Sequence, residues 1–230
     1  MNKNLEKKAA AVKAAEFIED GMILGLGTGS TVKYLIEELA QKVNSGLTIT
    51  AVSTSQRSAE LASSLGINVI EIDKVKQIDL TIDGADEFDR NLNGIKGGGG
   101  ALLYEKIVAS HSKENIWITD SGKFVKQLGK FPLPVEVVPF GARSLFDTFE
   151  HKGYNPKFRE KNGKLFITDG NHYIIDLHLN AIESPLKLNT ELNSIPGVIE
   201  TGLFIDVADM VLMGKGEGYE IFKKKKADHN

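Results

Sequence analysis

Hydrophobic positions in residues 1–130 alternate between helical and strand-like spacing. Val32, Leu35, Ile36, Leu39 and Val43 recur every three or four residues, which predicts a helix from about Thr31. The sequence also predicts helices at 4–21, with Asn4 as its cap, and at 56–65, stopped by Gly66, and strands at 22–26, 48–53, 68–72, 80–83 and 116–119. Strands and helices alternate, so we expect an α/β, Rossmann-like, mainly parallel sheet with helices on both faces.

The pattern changes where Pro132, Pro134 and Pro139 fall within eight residues, and we expect a domain boundary there. Beyond it we predict a strand at 135–140, a helix at 144–152 stopped by Gly153, β segments that turn at Asp169 and Gly170, a helix at 185–193 and a strand at 198–205. This β-α-β-β-α-β order is the split βαβ, ferredoxin-like plan of a small α+β domain. The apolar run 210–214 should return to the first sheet. The predicted domains are 1–130 plus about 206–230, and 131–205.

Composition and charge narrow the possible partners. The net charge of −3 gives no overall basic field for nucleic acid or for an anionic membrane, and no stretch of about 18 apolar residues suggests a membrane span. The lysine run 223–226 is expected to be a solvated tail. The sequence contains no cysteine, which excludes disulfides and thiolate zinc sites. We therefore expect a cytoplasmic protein without nucleic-acid or membrane partners.

The first candidate for chemistry is GLGTGST, residues 25–31, between a predicted strand and a helix. Such a loop directs backbone N–H groups and the positive helix end toward an anion, and Thr28, Ser30 and Thr31 around Gly29 add hydroxyl donors. It does not match the dinucleotide pattern G-x-G-x-x-G, because Ser30 replaces the last glycine and the expected acid about 20 residues later is missing. A tight turn without a ligand remains the alternative.

The second candidate is TIDGADEFD, residues 81–89. Asp83 ends a predicted strand, followed by Gly84, Ala85, Asp86 and Glu87. In a parallel sheet these acids should meet the GTGS loop at the carboxyl ends of the strands, where they could bind sugar hydroxyls and move hydroxyl protons. An ordinary Asp-Gly turn and a divalent metal site are the alternatives. The five histidines lack paired ligand spacing, which disfavours the metal.

The third candidate is IKGGGGALLYEK, residues 95–106. Four successive glycines, 97–100, cost chain entropy and indicate a backbone that passes very close to a ligand. Lys96 could stabilise a developing oxyanion, and Glu105 lies one turn into the next helix. The alternatives are a solvated lysine and an exposed glutamate that interacts favourably with the helix dipole.

Together the three segments suit the isomerisation of a sugar phosphate. That reaction needs a carboxylate base, a cation for the enediolate, groups that hold hydroxyls and an anchor for a distant phosphate. Each requirement has a candidate here.

The sequence also resembles the type A ribose-5-phosphate isomerases. GLGTGST, DGADE, KGGGGAL, EKI, GKFPLPVEVVP and IPGVIETGLF look like the signatures of that family, in family order across nearly the whole chain. The resemblance implies conversion of D-ribose 5-phosphate to D-ribulose 5-phosphate in the pentose phosphate pathway, without cofactor or metal, by a homodimer or a dimer of dimers.

For individual residues, the resemblance implies a proton acceptor at Glu105 and catalytic roles for Asp83, Asp86 and Lys96. It implies substrate contacts from Thr28, Gly29, Ser30, Thr31, Asp83, Gly84, Ala85, Asp86, Lys96, Gly97, Gly98, Gly99, Lys123 and Lys7, with Lys8 adjacent to the last position. A fourth glycine, Gly100, stands where the family often has alanine, and we expect it only to loosen the loop.

Other functions remain open. A non-catalytic sugar-phosphate sensor would usually carry a DNA-binding segment or lack the base. An amino-sugar phosphate isomerase or a CoA transferase could share the fold, and a nicotinamide dehydrogenase is disfavoured by the glycine spacing. Turnover of ribose 5-phosphate alone, with a chelator present, would separate most of these.

Overall fold

The computed structural model describes residues 2–224, and the predicted lysine tail therefore lies partly outside the described residues. Within this range the α-helices are α1 (Lys3–Ala14), α2 (Ser30–Asn44), α3 (Gln56–Ser64), α4 (Leu102–Ser110), α5 (Ala142–His151) and α6 (Pro185–Asn193). The strands are β1 (Ile23–Leu26), β2 (Thr50–Ser53), β3 (Ile78–Gly84), β4 (Glu87–Phe88), β5 (Gly94–Ile95), β6 (Ser112–Asp120), β7 (Leu133–Val137), β8 (Pro156–Phe158), β9 (Glu160–Lys161), β10 (Lys164–Leu165), β11 (Tyr173–Leu177), β12 (Val198–Thr201), β13 (Leu203–Phe204), β14 (Met210–Lys215) and β15 (Gly218–Lys223).

The largest sheet has the strand order β15-β14-β6-β3-β1-β2. Neighbours from β14 to β2 are parallel, whereas β15 is antiparallel to β14. The apolar residues that recur at helical spacing on α2 pack on one face of this sheet, together with α1 and α3. Helix α4 covers the other face. The predicted α/β sheet and the return of the chain through β14 are confirmed. Because the chain runs from β1 to β2 and then to β3 on the other side of β1, a ligand crevice is expected between β1 and β3.

The second sheet has the order β12-β7-β11-β8, and all its neighbours are antiparallel. With α5 after β7 and α6 after β11, this is the predicted split βαβ, ferredoxin-like topology. Its core includes Val135, Phe149, Leu177 and Leu192. A core separate from that of the large sheet supports two domains, and the boundaries near residues 131 and 205 stay a prediction.

A third sheet, β13-β5-β4, was not predicted from the sequence. The predicted strand 198–205 is wrong as one unit, because it divides at Gly202 into β12 in the second sheet and β13 in the third. The Gly202 N–H donates to the carbonyl of Pro134, and its own carbonyl accepts from the Lys96 N–H. A Cβ at Gly202 would lie 2.4 Å from the Lys96 carbonyl oxygen, so glycine permits this crossing.

Other sequence-based boundaries also differ. Asn2, rather than Asn4, caps α1, and its side chain accepts from the Asn4 N–H. The predicted strand 68–72 makes a single β-bridge, from Val69 to Ala51, before the chain turns into a 3₁₀ segment at Ile72–Lys74. The turn at Asp169 and Gly170 is present. The segment before it contains β10, which pairs with β9. Among the described residues, no helix is long and apolar enough to span a membrane.

Candidate active site

A cleft with about 490 Å³ of empty space opens at the carboxyl ends of β1 and β3. The lining residues are Lys7, Thr28, Gly29, Ser30, Thr31, Gly84, Ala85, Asp86, Lys96, Gly97, Gly99, Glu105 and Lys123. The predicted candidates therefore come together, although Asp83 and Gly98 lie beside the cleft and not in its lining.

The N-terminus of α2 faces this cleft. Gly29 precedes the helix with φ +124°, and no side chain of the described residues caps the helix. The first backbone N–H groups are therefore oriented for an anion. The Lys7 ammonium donates to Ser30 Oγ at 3.0 Å, which adds positive charge at the same end of the cleft.

The loop before α2 packs directly on the Asp83 carboxylate. A Cβ at Gly27 would lie 2.0 Å from Asp83 Oδ1, which accounts for glycine there. The Thr28 N–H donates to the same oxygen at 2.9 Å, and the Thr28 hydroxyl lies 2.8 Å from the hydroxyls of both Thr54 and Ser55. The polar atoms of Thr28 thus link β1, β2 and β3. The run of hydroxyl residues at the end of β2 is visible in the sequence, but only the fold shows that it contacts Thr28.

Three charged side chains are buried beneath the cleft: Asp83, Lys96 and Glu105 are 2 %, 2 % and 3 % exposed. The Lys96 Nζ lies 2.9 Å from Asp83 Oδ2 and 3.2 Å from Glu105 Oε2, and it donates to the Gly84 carbonyl. The alternatives of a solvated lysine and an exposed glutamate are therefore wrong. This cluster joins β3, the loop before α4 and the first turn of α4.

Two carboxylates share one ammonium in this cluster. Burial, and after it the negative charge of Asp83, raise the pKa of Glu105 to about 8, although the positive charge of Lys96 partly opposes them. Burial alone would lower the pKa of Lys96, but the charges of Asp83 and Glu105 outweigh it and the pKa is raised. Glu105 Oε2 is buried without a well-aligned hydrogen bond from any described residue. The arrangement offers a carboxyl group that can exchange a proton near neutral pH beside a permanent cation.

Asp86 lines the cleft beside Gly98 and Lys123. Its Oδ2 accepts from the Gly98 N–H at 2.7 Å, and its Oδ1 lies 4.0 Å from Lys123 Nζ. Glu87, the next acid in the motif, points away from the cleft and accepts from the N–H groups of Gly129 and Phe131. Glu87 therefore anchors the chain at the entry to the second sheet.

Glycine is required for different physical reasons at Gly98 and at Gly100. A Cβ at Gly98 would lie 2.6 Å from Asp86 Oδ1. Gly100 has φ +84°, and a Cβ there would lie 2.4 Å from the ring of Phe166. The expectation that Gly100 only loosens the loop is therefore wrong, because its missing side chain makes room for an aromatic ring from the segment after β10.

Two supporting contacts of the site were missed by the sequence analysis. Glu6 on α1 is 0 % exposed and accepts from the N–H and hydroxyl of Ser121, two residues before Lys123, and from the Gly216 N–H. Lys106 donates to Glu200 and to the carbonyls of Thr201 and Leu203, which fixes α4 to the junction of β12 and β13. Both contacts span about 100 residues or more along the chain, and no local pattern reveals them.

Within residues 2–224, no group of three or more histidine or acidic side chains could hold a metal ion.

Fold and site define an α/β protein in which a helix N-terminus and a buried acid–base cluster face one cleft. The sequence model described as ribose 5-phosphate isomerase A (phosphoriboisomerase A) matches residues 50–218. The ribose-5-phosphate isomerase A of Streptococcus suis strain 05ZYH33 is 54% identical over 95% of this chain and 98% of its own length. That of Streptococcus pneumoniae strain D39 is 51% identical over 96% and 97%.

Solved structures agree with the sequence comparisons. The ribose 5-phosphate isomerase A of Methanocaldococcus jannaschii superimposes with a TM-score of 0.90 at 38% identity, over 95% of this chain and 98% of that one. A D-ribose-5-phosphate isomerase in complex with phospho-erythronic acid gives a TM-score of 0.92 at 41% identity, over 97% and 100%. This chain belongs to the ribose 5-phosphate isomerase A family.

Proposed function

We propose that this chain interconverts D-ribose 5-phosphate and D-ribulose 5-phosphate through an enediolate, as a step of the pentose phosphate pathway, with Glu105 as the base. The observation that carries the proposal is the position of Glu105. Its carboxyl group is buried in the cleft, has a raised pKa and lies 3.2 Å from the Lys96 ammonium. A base with a pKa near the working pH can both take and return a proton.

The reaction begins with the open-chain aldose. The Glu105 carboxylate takes the proton from C2, the electrons of that bond form the C1–C2 double bond, and the aldehyde oxygen gains the negative charge. Lys96 stabilises this charge. The proton on the C2 oxygen then passes to the C1 oxygen. Glu105 returns its proton to C1, and the C2 oxygen becomes the carbonyl of the ketose.

Asp86 and Asp83 have different parts in this proposal. Asp86 lines the cleft beside Lys123 and suits the transfer of the hydroxyl proton. Asp83 accepts from Thr28 and Gly84 on one oxygen and pairs with Lys96 on the other. We therefore assign Asp83 to holding Lys96 in place.

The phosphate is assigned to the uncapped start of α2. Backbone N–H groups at Gly29, Ser30 and Thr31 and the ammonium of Lys7 supply the positive potential. Binding energy from this distant group then holds C1 and C2 at the acid–base cluster.

The decisive experiment runs the reaction in heavy water with ribose 5-phosphate and EDTA. We expect ketose to form at the full rate, with deuterium entering at the transferred position in some turnovers. Glu105→Gln should lower kcat by roughly 10²–10⁴-fold or more and abolish the exchange. It should still bind phospho-erythronic acid, whereas the exposed control Glu114→Gln should behave as wild type.

The other outcomes identify the alternatives. Tight binding of ribose 5-phosphate without turnover would indicate a non-catalytic sensor. Retained exchange in Glu105→Gln would move the base to Asp83 or Asp86. Loss of activity with EDTA and no exchange would contradict the enediolate mechanism.

We also propose a cytoplasmic location and a homodimer or dimer of dimers. The cysteine-free sequence suits a reducing compartment, and Phe140, 94 % exposed, is a large apolar side chain of the kind found at interfaces. Light scattering on the purified chain tests the assembly, and a monomer at micromolar concentration would contradict it.

A further inference from the structure

Arg159 extends from the second sheet to the glycine loop of the active site. It follows β8, and its side chain is 14% exposed. Its Nε and Nη2 donate to the two oxygens of Asp176 on β11, a bidentate pair that fixes the guanidinium plane. Its Nη1 donates to the Gly97 carbonyl at 2.6 Å and lies 3.3 Å from that of Gly98.

The Gly97 carbonyl and the Gly98 N–H belong to one peptide unit. In a trans peptide these groups point in opposite directions and must rotate together. Arg159 holds the oxygen side of this unit, while the N–H side donates to Asp86 Oδ2 at 2.7 Å. A continuous chain of hydrogen bonds therefore runs from Asp176 through Arg159 and the peptide to Asp86 in the cleft.

This peptide unit would be easy to reorient without such a contact. It lies between two glycines, and Gly97 has φ +99°, a conformation that glycine adopts without strain. Rotation of the unit would turn the Gly97 carbonyl toward the Asp86 carboxylate and remove the N–H donor. The two negative groups would then repel, and Asp86 would leave its present position in the cleft beside Lys123.

We propose that Arg159 is a positioning residue for the isomerase reaction, which locks the Gly97–Gly98 peptide and through it the carboxylate of Asp86. The catalytic part of this inference rests on the proposed function. The structural part, a peptide held by Arg159, stands on the contacts alone, so the two parts can be measured separately.

The test compares Arg159→Met with Arg143→Met, which removes an exposed arginine near the second sheet that pairs with Asp147. Arg159→Met should lower kcat/KM for ribose 5-phosphate by about 10–100-fold, as expected for a displaced active-site group. Hydrogen exchange at the Gly98 amide, followed by NMR, should become at least about tenfold faster. Arg143→Met should change neither quantity.

A double-mutant cycle tests the connection to Asp86. In an Asp86→Asn background, Arg159→Met should cost much less than it does in the wild type, because both changes disrupt one chain of contacts. Arg159→Lys keeps the positive charge but lacks the planar guanidinium that forms the bidentate pair, and it should therefore recover only part of the activity. Since Arg159→Met leaves Asp176 without its cation, the pair variant Arg159→Met/Asp176→Leu provides a second version if the single variant does not fold.

The outcomes separate the proposals. Unchanged exchange at Gly98 in folded Arg159→Met would overturn the positioning role, whether or not the chain is an isomerase. Fast exchange at Gly98 with an unchanged kcat/KM would make Arg159 a structural contact only, and it would also overturn the positioning role. The same conclusion would follow if the effects of Arg159→Met and Asp86→Asn were fully additive. If wild type shows no turnover, the proposed function fails, and the Gly98 measurement still decides whether Arg159 holds the peptide.

Discussion

The Asp83 carboxylate and the Lys96 ammonium form a buried ion pair, with 2.9 Å between Oδ2 and Nζ. The other oxygen of Asp83 accepts hydrogen bonds from the N–H groups of Thr28 and Gly84, so this carboxylate faces one ammonium and two N–H donors. Glu105 lies farther from Lys96 and lacks comparable donors. Consequently Glu105 is the member of the cluster that gains and loses a proton near neutral pH.

The rate of isomerisation should follow the ionisation of Glu105. Proton abstraction needs the carboxylate, and the pKa of Glu105 is raised to about 8. We expect kcat/KM for ribose 5-phosphate to rise with pH and to reach half its plateau near pH 8. Initial rates between pH 6 and 10 measure this. A profile that is flat from pH 7 to 9 would contradict it, and the substrate phosphate, which ionises near pH 6, does not obscure this range.

Replacing Glu105 by glutamine should stabilise the fold at alkaline pH. Between its ordinary value of 4.5 and about 8, Glu105 keeps a proton in the folded state that the unfolded chain has released. The free energy of unfolding therefore falls as pH rises through this window, and Glu105→Gln avoids that loss. The Tm of the variant should exceed that of wild type at pH 8 by more than at pH 5. The exposed control Glu114→Gln should show no such trend.

Lys96→Met should damage both activity and stability. Without the ammonium we expect kcat to fall by about a hundredfold or more, as for a lost oxyanion donor. The buried carboxylate of Asp83 also loses its cation, which costs about 3–5 kcal/mol in comparable cases. Lys113→Met breaks an exposed ion pair with Asp79 and serves as the matched control for thermal unfolding. A change in KM alone would instead make Lys96 a ground-state binding residue.

Lys7 and Lys8 provide an internal comparison for phosphate binding. Lys7 lines the cleft and donates to Ser30, whereas Lys8 lies on a different surface of α1. Lys7→Gln should raise KM for ribose 5-phosphate by about tenfold, the cost of losing one charged contact, and Lys8→Gln should leave it unchanged. Free ribose should lose kcat as well as affinity, because its reacting carbons are no longer held in place. Equal kcat for ribose and its 5-phosphate would contradict phosphate anchoring.

The sequence determined those features that depend on neighbours within a few residues. Helical spacing located α2, and the split βαβ order of the second sheet followed from the alternation of short apolar segments. Anion binding could be predicted at the glycine-rich turn before Ser30 because a helix begins there. Glu105 was placed in the first turn of a helix for the same local reason.

Tertiary structure decided what each side chain in the site does. The fit of Phe166 over Gly100 and the contact from Arg159 to Gly97 join residues far apart in the chain. Lys96 is buried between two carboxylates that lie on different elements, β3 and α4. The short strand β13 also exists only because it pairs with β5, about 100 residues earlier in the chain. The helix or strand propensity of a lysine is the same whether its side chain contacts water or a buried carboxylate. The position of a charge, and with it the pKa of Glu105, is therefore fixed only when the sheet and α4 bring their ends together.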